Sequence, residues 1–272
     1  MASTHVVEST PETVRSGYLD PTAKAAAVIQ PGDTVRYPNT WTHWGNEAKF
    51  GMTFADREPL RHRYPRGPYS MLGPVEIQGA QPGDVIEVSI TALRTIGWGW
   101  NSFPLGVGAL PHDFPEPYVH YFTFDDARTT AEYVDGIQLP MAPFLGVFDQ
   151  TAIETAAENL EIRYDLHKQV ALQGPLGETD TAWIVIGFAA SLDDALVACL
   201  REVIRWLPAA AGITGPEAYA LASMAVSFRV TQYANQTGSA YTSIPPKAVH
   251  AVIPKAIFPA ELRDRIGKWL RP

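Results

Sequence analysis

A single cysteine, Cys199, occurs in the 272 residues, which excludes an internal disulfide and any thiolate cluster for zinc or iron–sulfur. A reducing, cytoplasmic setting is the simplest reading. Long apolar runs are missing too: nowhere do about 18 consecutive apolar residues occur, so no segment reads as membrane-spanning. The N-terminal stretch MASTHVVESTPETVRSGYLD lacks the basic start and apolar core of a secretory signal. Positive charge is scarce, with 21 Lys and Arg against 29 Asp and Glu and a formal charge of -8. No basic patch interleaves with aromatics, so nucleic acid is not an expected partner. Repeats of fixed period and low-complexity tracts are also absent.

Turn chemistry, by contrast, is plentiful. The 23 Pro and 21 Gly spread along the chain mark many turns between short strands. With 46% hydrophobic and 18% charged residues, the chain can bury a core as one domain over 1–272, or as two closely packed halves at 1–150 and 151–272. Strand-like runs at Val14–Tyr18, Ala25–Ile29 and Thr34–Tyr37 surround the turn Gln30-Pro31-Gly32-Asp33, and the same device recurs at Gln81-Pro82-Gly83-Asp84. Proline fixes φ at such a corner and glycine accepts the positive φ that follows. Each turn feeds a β-branched run, which points to antiparallel strands.

Residues 41–68 are polar, aromatic and rich in Arg and His with no sustained period, and read as a long surface excursion. Residues 97–117, GWGWNSFPLGVGALPHDFPEP, read as a second. Strand-like runs return at Tyr118–Phe124 and Trp183–Phe188. The helical signal comes late: Ser191 opens a capped, amphipathic run expected to end at Pro208, and Thr214-Gly-Pro-Glu217 opens a second helix expected to reach about Phe228. The expected class is therefore α+β and β-rich, with mostly antiparallel, sandwich or barrel-like sheets and a C-terminal helical pair.

Six segments in order resemble the acetamidase/formamidase family: 13–37, 72–90, GWGWNSFPLGVGALPHDFPEP at 97–117, AWIVIGFAASLDDAL at 182–196, 212–232, and VHAVIPKAIF at 249–258. The resemblance implies an enzyme that cleaves the C–N bond of small linear amides to ammonia and a carboxylate, within a β-rich fold that forms homo-oligomers. It also implies a Gly/Asp/His-rich block after LPMAPFLGVF (139–148), of the composition expected to bind a metal or activate water. Here only Asp149 and Gln150 join Phe148 to Thr151. The competing reading is a catalytically inactive relative that serves as a binding or oligomeric scaffold.

Several residues could carry the chemistry. His43, in TWTHWGNE, could serve as general base, with Asn46 orienting the substrate; the alternative is an aromatic loop packed on a partner. Glu154 follows the junction and could be an acid/base, or else an ordinary strand carboxylate. Lys255 could stabilise an oxyanion. His112 and His120, with Asp149, could hold one divalent metal such as zinc, since imidazole and carboxylate suit it; the bland reading is two unrelated histidines on a polar loop. No organic cofactor is expected. Trp98, Trp100 and Phe103 could wall a site with room only for a small acyl group. Cys199 falls on the apolar stripe of its helix, where a thiol is inert. There is no Gly-x-Ser-x-Gly elbow.

Overall fold

The computed structural model describes residues 2–18, 20, 22–106, 108–149, 151–170, 172–233 and 246–272. Among these, residues 2–82 and 86–166 form one compact unit, and 83–85, 167–233 and 246–272 form another. The class is α+β, with mostly antiparallel strands and a few helices.

The first unit is built from short sheets. One orders its strands Thr4–Val6, Thr34–Tyr37, Ala157–His167, Val85–Thr95. A second orders Val147–Asp149, Ala152–Glu154, Ser70–Leu72, Val14–Ser16, antiparallel throughout. Ala27–Ile29 pairs with Val75–Ile77, and Trp98–Phe103 forms a two-stranded ribbon with Tyr118–Thr123. The core holds Ile29, Val35, Tyr37, Leu72, Ile153, Leu160, Ile162 and Tyr164, all essentially out of solvent.

The Pro-Gly-Asp turn is a corner and not a hairpin. The strands on either side of Gln30–Asp33 belong to different sheets, and Ala27–Ile29 runs parallel to Val75–Ile77, with Ile29 opposite Ile77. Thr4–Val6 is likewise parallel to Thr34–Tyr37. The turn chemistry is as expected, but a corner that redirects a strand needs the same residues as one that reverses it.

Residues 41–68 are not a surface excursion. Trp44, Ala48 and Leu60 form a small core of their own, and a helix spans Phe54–Arg63 behind a reciprocal Thr53–Asp56 capping box. Its buried residues are Arg57 and Leu60. One of the two inward positions is therefore an arginine, and no apolar period shows in the sequence. The second expected excursion opens with a strand, at Trp98–Phe103.

The second unit packs helices Leu192–Ala211, Gly215–Ala225 and Ala260–Leu270 with an antiparallel sheet ordered Leu176–Glu178, Ala182–Ala189, Lys247–Pro254, Ser227–Gln232. The first helix runs through Pro208 because burial of Ala210 and Ala211 outweighs one missing backbone donor; it ends at Gly212, whose N–H bonds Pro208 O at 2.8 Å in the left-handed conformation. The next helix stops at Ala225, and Phe228 already lies on a strand. Gly187 lets helix and sheet touch, since a β-carbon there would lie 2.3 Å from Cys199 N. Cys199 is fully buried, its thiol 3.3 Å from Val185 O, and burial pushes its pKa up to about 11. Among the described residues no helix is long and apolar enough to cross a membrane.

Candidate active site

The turn after Thr42 is wound left-handed. Trp44, Gly45 and Asn46 have φ of 52°, 60° and 69°, a conformation that costs a side-chain-bearing residue roughly 1–2 kcal/mol. Hydrogen bonds from outside the turn offset that cost. Trp44 N–H donates to Pro68 O at 2.6 Å and Gly45 N–H to the Ser70 hydroxyl at 3.2 Å. That hydroxyl donates in turn to Thr42 O at 2.5 Å. The Asn46 side-chain oxygen accepts from the Thr42 N–H at 3.2 Å and the Thr42 hydroxyl at 3.1 Å. Asn46, expected to orient a substrate, closes this turn.

The turn delivers His43 into an aromatic box. The rings of Trp100, Tyr69 and Trp44 stand nearly perpendicular to the imidazole at centroid separations of 5.0, 5.4 and 5.7 Å. His43 Nε2 lies 3.4 Å from Glu154 Oε1, at the end of strand Ala152–Glu154, where Glu154 is only 9% exposed. Glu47 is engaged elsewhere: the Tyr64 hydroxyl at 2.6 Å and the Arg63 guanidinium hold its carboxyl below the usual range. Glu154 is thus the carboxylate that meets His43. Gly146 abuts it, with its N–H on Glu154 O at 2.9 Å.

Trp100 is fixed from its other neighbours. Arg57, 3% exposed, lies 5.2 Å from the Trp100 ring centroid and 5.6 Å from that of Tyr121. Its guanidinium donates to the Tyr121 hydroxyl at 2.7 Å and the Ser102 hydroxyl at 3.4 Å, and its Nε is buried without a partner. Among the described residues no carboxylate pairs with it. Cation–π contact with the Trp100, Tyr121 and Phe54 rings compensates the charge in place of an acid.

Trp98 stands 5.7 Å from Trp100 on the same side of the ribbon. Phe103 and His120 alternate to its opposite side, where Phe103 stacks on Tyr118 and His120 sits 4.9 Å from both Phe122 and Tyr133. His112 is exposed on the loop after the ribbon's first strand. Asp149 ends strand Val147–Asp149, and its side chain lies outside the described part of the structure. A zinc site needs at least three protein donors, and among the described residues no three His, Cys, Asp or Glu gather. The described donors therefore do not fit a bound metal. Lys255 belongs to the second unit, where it pairs with Glu178 at 2.6 Å. Arg57, Tyr69 and Gly146 went unread in the sequence; only the Thr-x-x-Asp cap before Arg57 gave any sign that its helix exists.

Residues 21–182, more than half of the chain, match the acetamidase/formamidase family. The chain belongs to that family. An acetamidase of Mycolicibacterium smegmatis is 24% identical over 145 residues, which cover 47% of this chain and 34% of that protein. The match thus spans about a third of that relative's length. Among solved structures, the acetamidase of Bacillus halodurans matches at a TM-score of 0.76 and 18% identity, over 93% of this chain and 98% of that one. The acetamidase of Yersinia enterocolitica matches at 0.73 and 20%, over 93% and 92%. At such identities the likeness is one of fold. Of the six segments that resembled the family, those at 72–90 and 97–117 lie within the matched stretch, and the one at 182–196 begins where it ends.

Proposed function

We propose that this acetamidase/formamidase family member hydrolyses the C–N bond of small linear amides to ammonia and a carboxylate, with His43 and Glu154 activating water. The observation that supports this reading is the 3.4 Å approach of His43 Nε2 to Glu154 in a largely buried aromatic setting. One partner of the pair takes a proton as the water oxygen bonds to the amide carbonyl carbon. The imidazolium–carboxylate charge distribution holds that proton until it passes to the nitrogen as the C–N bond breaks. General acid–base assistance of this kind contributes about 10²–10⁴-fold. Rings on three sides keep bulk water from the imidazole, which strengthens every charge interaction inside.

The same proposal takes the protein to act in a reducing cytoplasm as a homo-oligomer; its one cysteine is a buried, unreactive thiol, and the ribbon and its connecting loop present exposed aromatic surface at Tyr118 and Phe114. The test is ammonia release from formamide and acetamide by the purified full chain, read by a coupled assay. Release that rises linearly with enzyme supports the reading, and none above the blank sinks it.

A further inference from the structure

Tyr121 stands directly opposite Trp100 in the register of the ribbon, so the two side chains share the face that meets His43. Phe50 and Trp98 flank its ring at 5.1 and 6.1 Å. Its hydroxyl works in both directions, donating to Met52 O at 2.7 Å and accepting from the Arg57 guanidinium at 2.7 Å. Those directions are forced, because a carbonyl only accepts and a guanidinium only donates.

Each bond begins a path that ends on His43. The first runs through backbone: Met52 packs on the small core of Trp44, Ala48 and Leu60, its N–H reaches Lys49 O at 3.4 Å, and the neighbouring Ala48 N–H donates to His43 O at 3.1 Å. The second runs through side chains: Arg57 lies 5.2 Å from the Trp100 ring, and that ring stands 5.0 Å from the imidazole. One oxygen thus holds the histidine by its carbonyl and by its ring. Without that oxygen the buried guanidinium, whose Nε is already unpartnered, would keep among the described residues only the Ser102 hydroxyl at 3.4 Å, and an unsatisfied buried donor is costly enough to move the group.

We infer that Tyr121 is a positioning residue for the reacting pair: its hydroxyl sets the place of His43 beside Glu154 through Met52 and Arg57. This rests on the hydrolytic reading above and extends it from the groups that react to the group that holds them. A misplacement of about 1 Å can cost about 10²-fold in rate, and a loss of geometry felt only in the transition state lowers kcat and leaves KM alone.

The experiment uses the full chain and two matched deletions of a phenolic oxygen, Tyr121→Phe and Tyr118→Phe. Tyr118 lies on the opposite face of the same ribbon, where its hydroxyl meets that of Tyr133 at 3.3 Å. Carbon–proton NMR follows the His43 imidazole, assigned by the signal lost in His43→Asn, and steady-state kinetics follow ammonia release from acetamide. Tyr121→Phe should shift the His43 resonance and lower kcat at least tenfold, with KM within about twofold of the parent; Tyr118→Phe should do neither. An unmoved His43 resonance in Tyr121→Phe, an unchanged kcat, a loss carried by KM, or equal effects in the two variants overturns the inference. If the parent turns over no amide, the hydrolytic reading fails by itself, and the resonance alone decides: a shift in Tyr121→Phe upholds the positioning role, and none removes it. Should Tyr121→Phe not unfold cooperatively, Arg57→Met is compared with Arg57→Met/Tyr121→Phe, in which no buried charge loses a partner. A further shift on loss of the hydroxyl then upholds the tie through Met52, and equal spectra overturn it.

Discussion

Gly146 faces Glu154 so closely that a β-carbon on it would lie 2.3 Å from the carboxylate oxygen Oε2. That is far inside van der Waals contact, so the carboxylate keeps its place beside His43 only while position 146 has no side chain. Gly146→Ala should therefore swing Glu154 away at a cost of about 1–3 kcal/mol in overpacking. Ammonia release should fall more than tenfold, with the fall in kcat, while urea denaturation still gives a single cooperative transition.

His43→Asn and Glu154→Gln keep the size of each side chain and remove its proton chemistry. Each should lower kcat by about 10²–10⁴-fold, and the double variant should lose little more than the worse single one, because the two act as a unit. Additive losses in this cycle would argue that they do not.

Arg57 gives a test in which stability and activity part company. A buried guanidinium without an acid pays a desolvation cost that a methionine does not, so Arg57→Met should leave stability unchanged or raise it by about 1 kcal/mol. Activity should drop, since Trp100 loses the cation beside its ring and the fork to Tyr121 and Ser102. Arg57→Lys should not restore it, because an ammonium cannot reproduce the planar fork. Chemical denaturation beside steady-state kinetics reads both effects.

At the first Pro-Gly-Asp corner, Asp33 accepts from the N–H groups of Ser3 and Gln30 and meets His5, which together hold its carboxyl at about 2. A depressed carboxylate contributes stability that is present above its unfolded pKa, about 3.9, and is lost as pH falls through its folded value. Asp33→Asn should therefore be less stable than the parent at neutral pH, and the gap should close between about pH 4 and pH 2. Acid titrations followed by circular dichroism would reveal it; a gap that stays constant over that window contradicts the assignment.

The sequence carried the strands and the late helices because both show as local pattern: Thr34–Tyr37 alternates inside and out, and Leu192–Ala211 repeats its apolar residues at helical spacing. Strand direction was not legible. Whether Ala27–Ile29 meets its partner parallel or antiparallel is decided by a strand some fifty positions away, and nothing local encodes it. At the site, His43 and Glu154 each drew notice for their residue type, but their meeting depends on a left-handed turn at Trp44–Asn46 that Gly45 and Asn46 tolerate and Trp44 does not. Arg57 was invisible because a buried charge erases the apolar period by which a helix is recognised.

That left-handed turn gives His43 its own thermal clock. The imidazole is positioned by neither a helix nor a strand but by backbone held uphill through bonds to Pro68 and Ser70, and strained residues of this kind cost about 1–3 kcal/mol each. Once those few bonds loosen, the turn relaxes without asking the sheets to melt. On warming, catalytic competence should vanish several degrees before the global unfolding transition, and return on cooling as quickly as a loop can rewind.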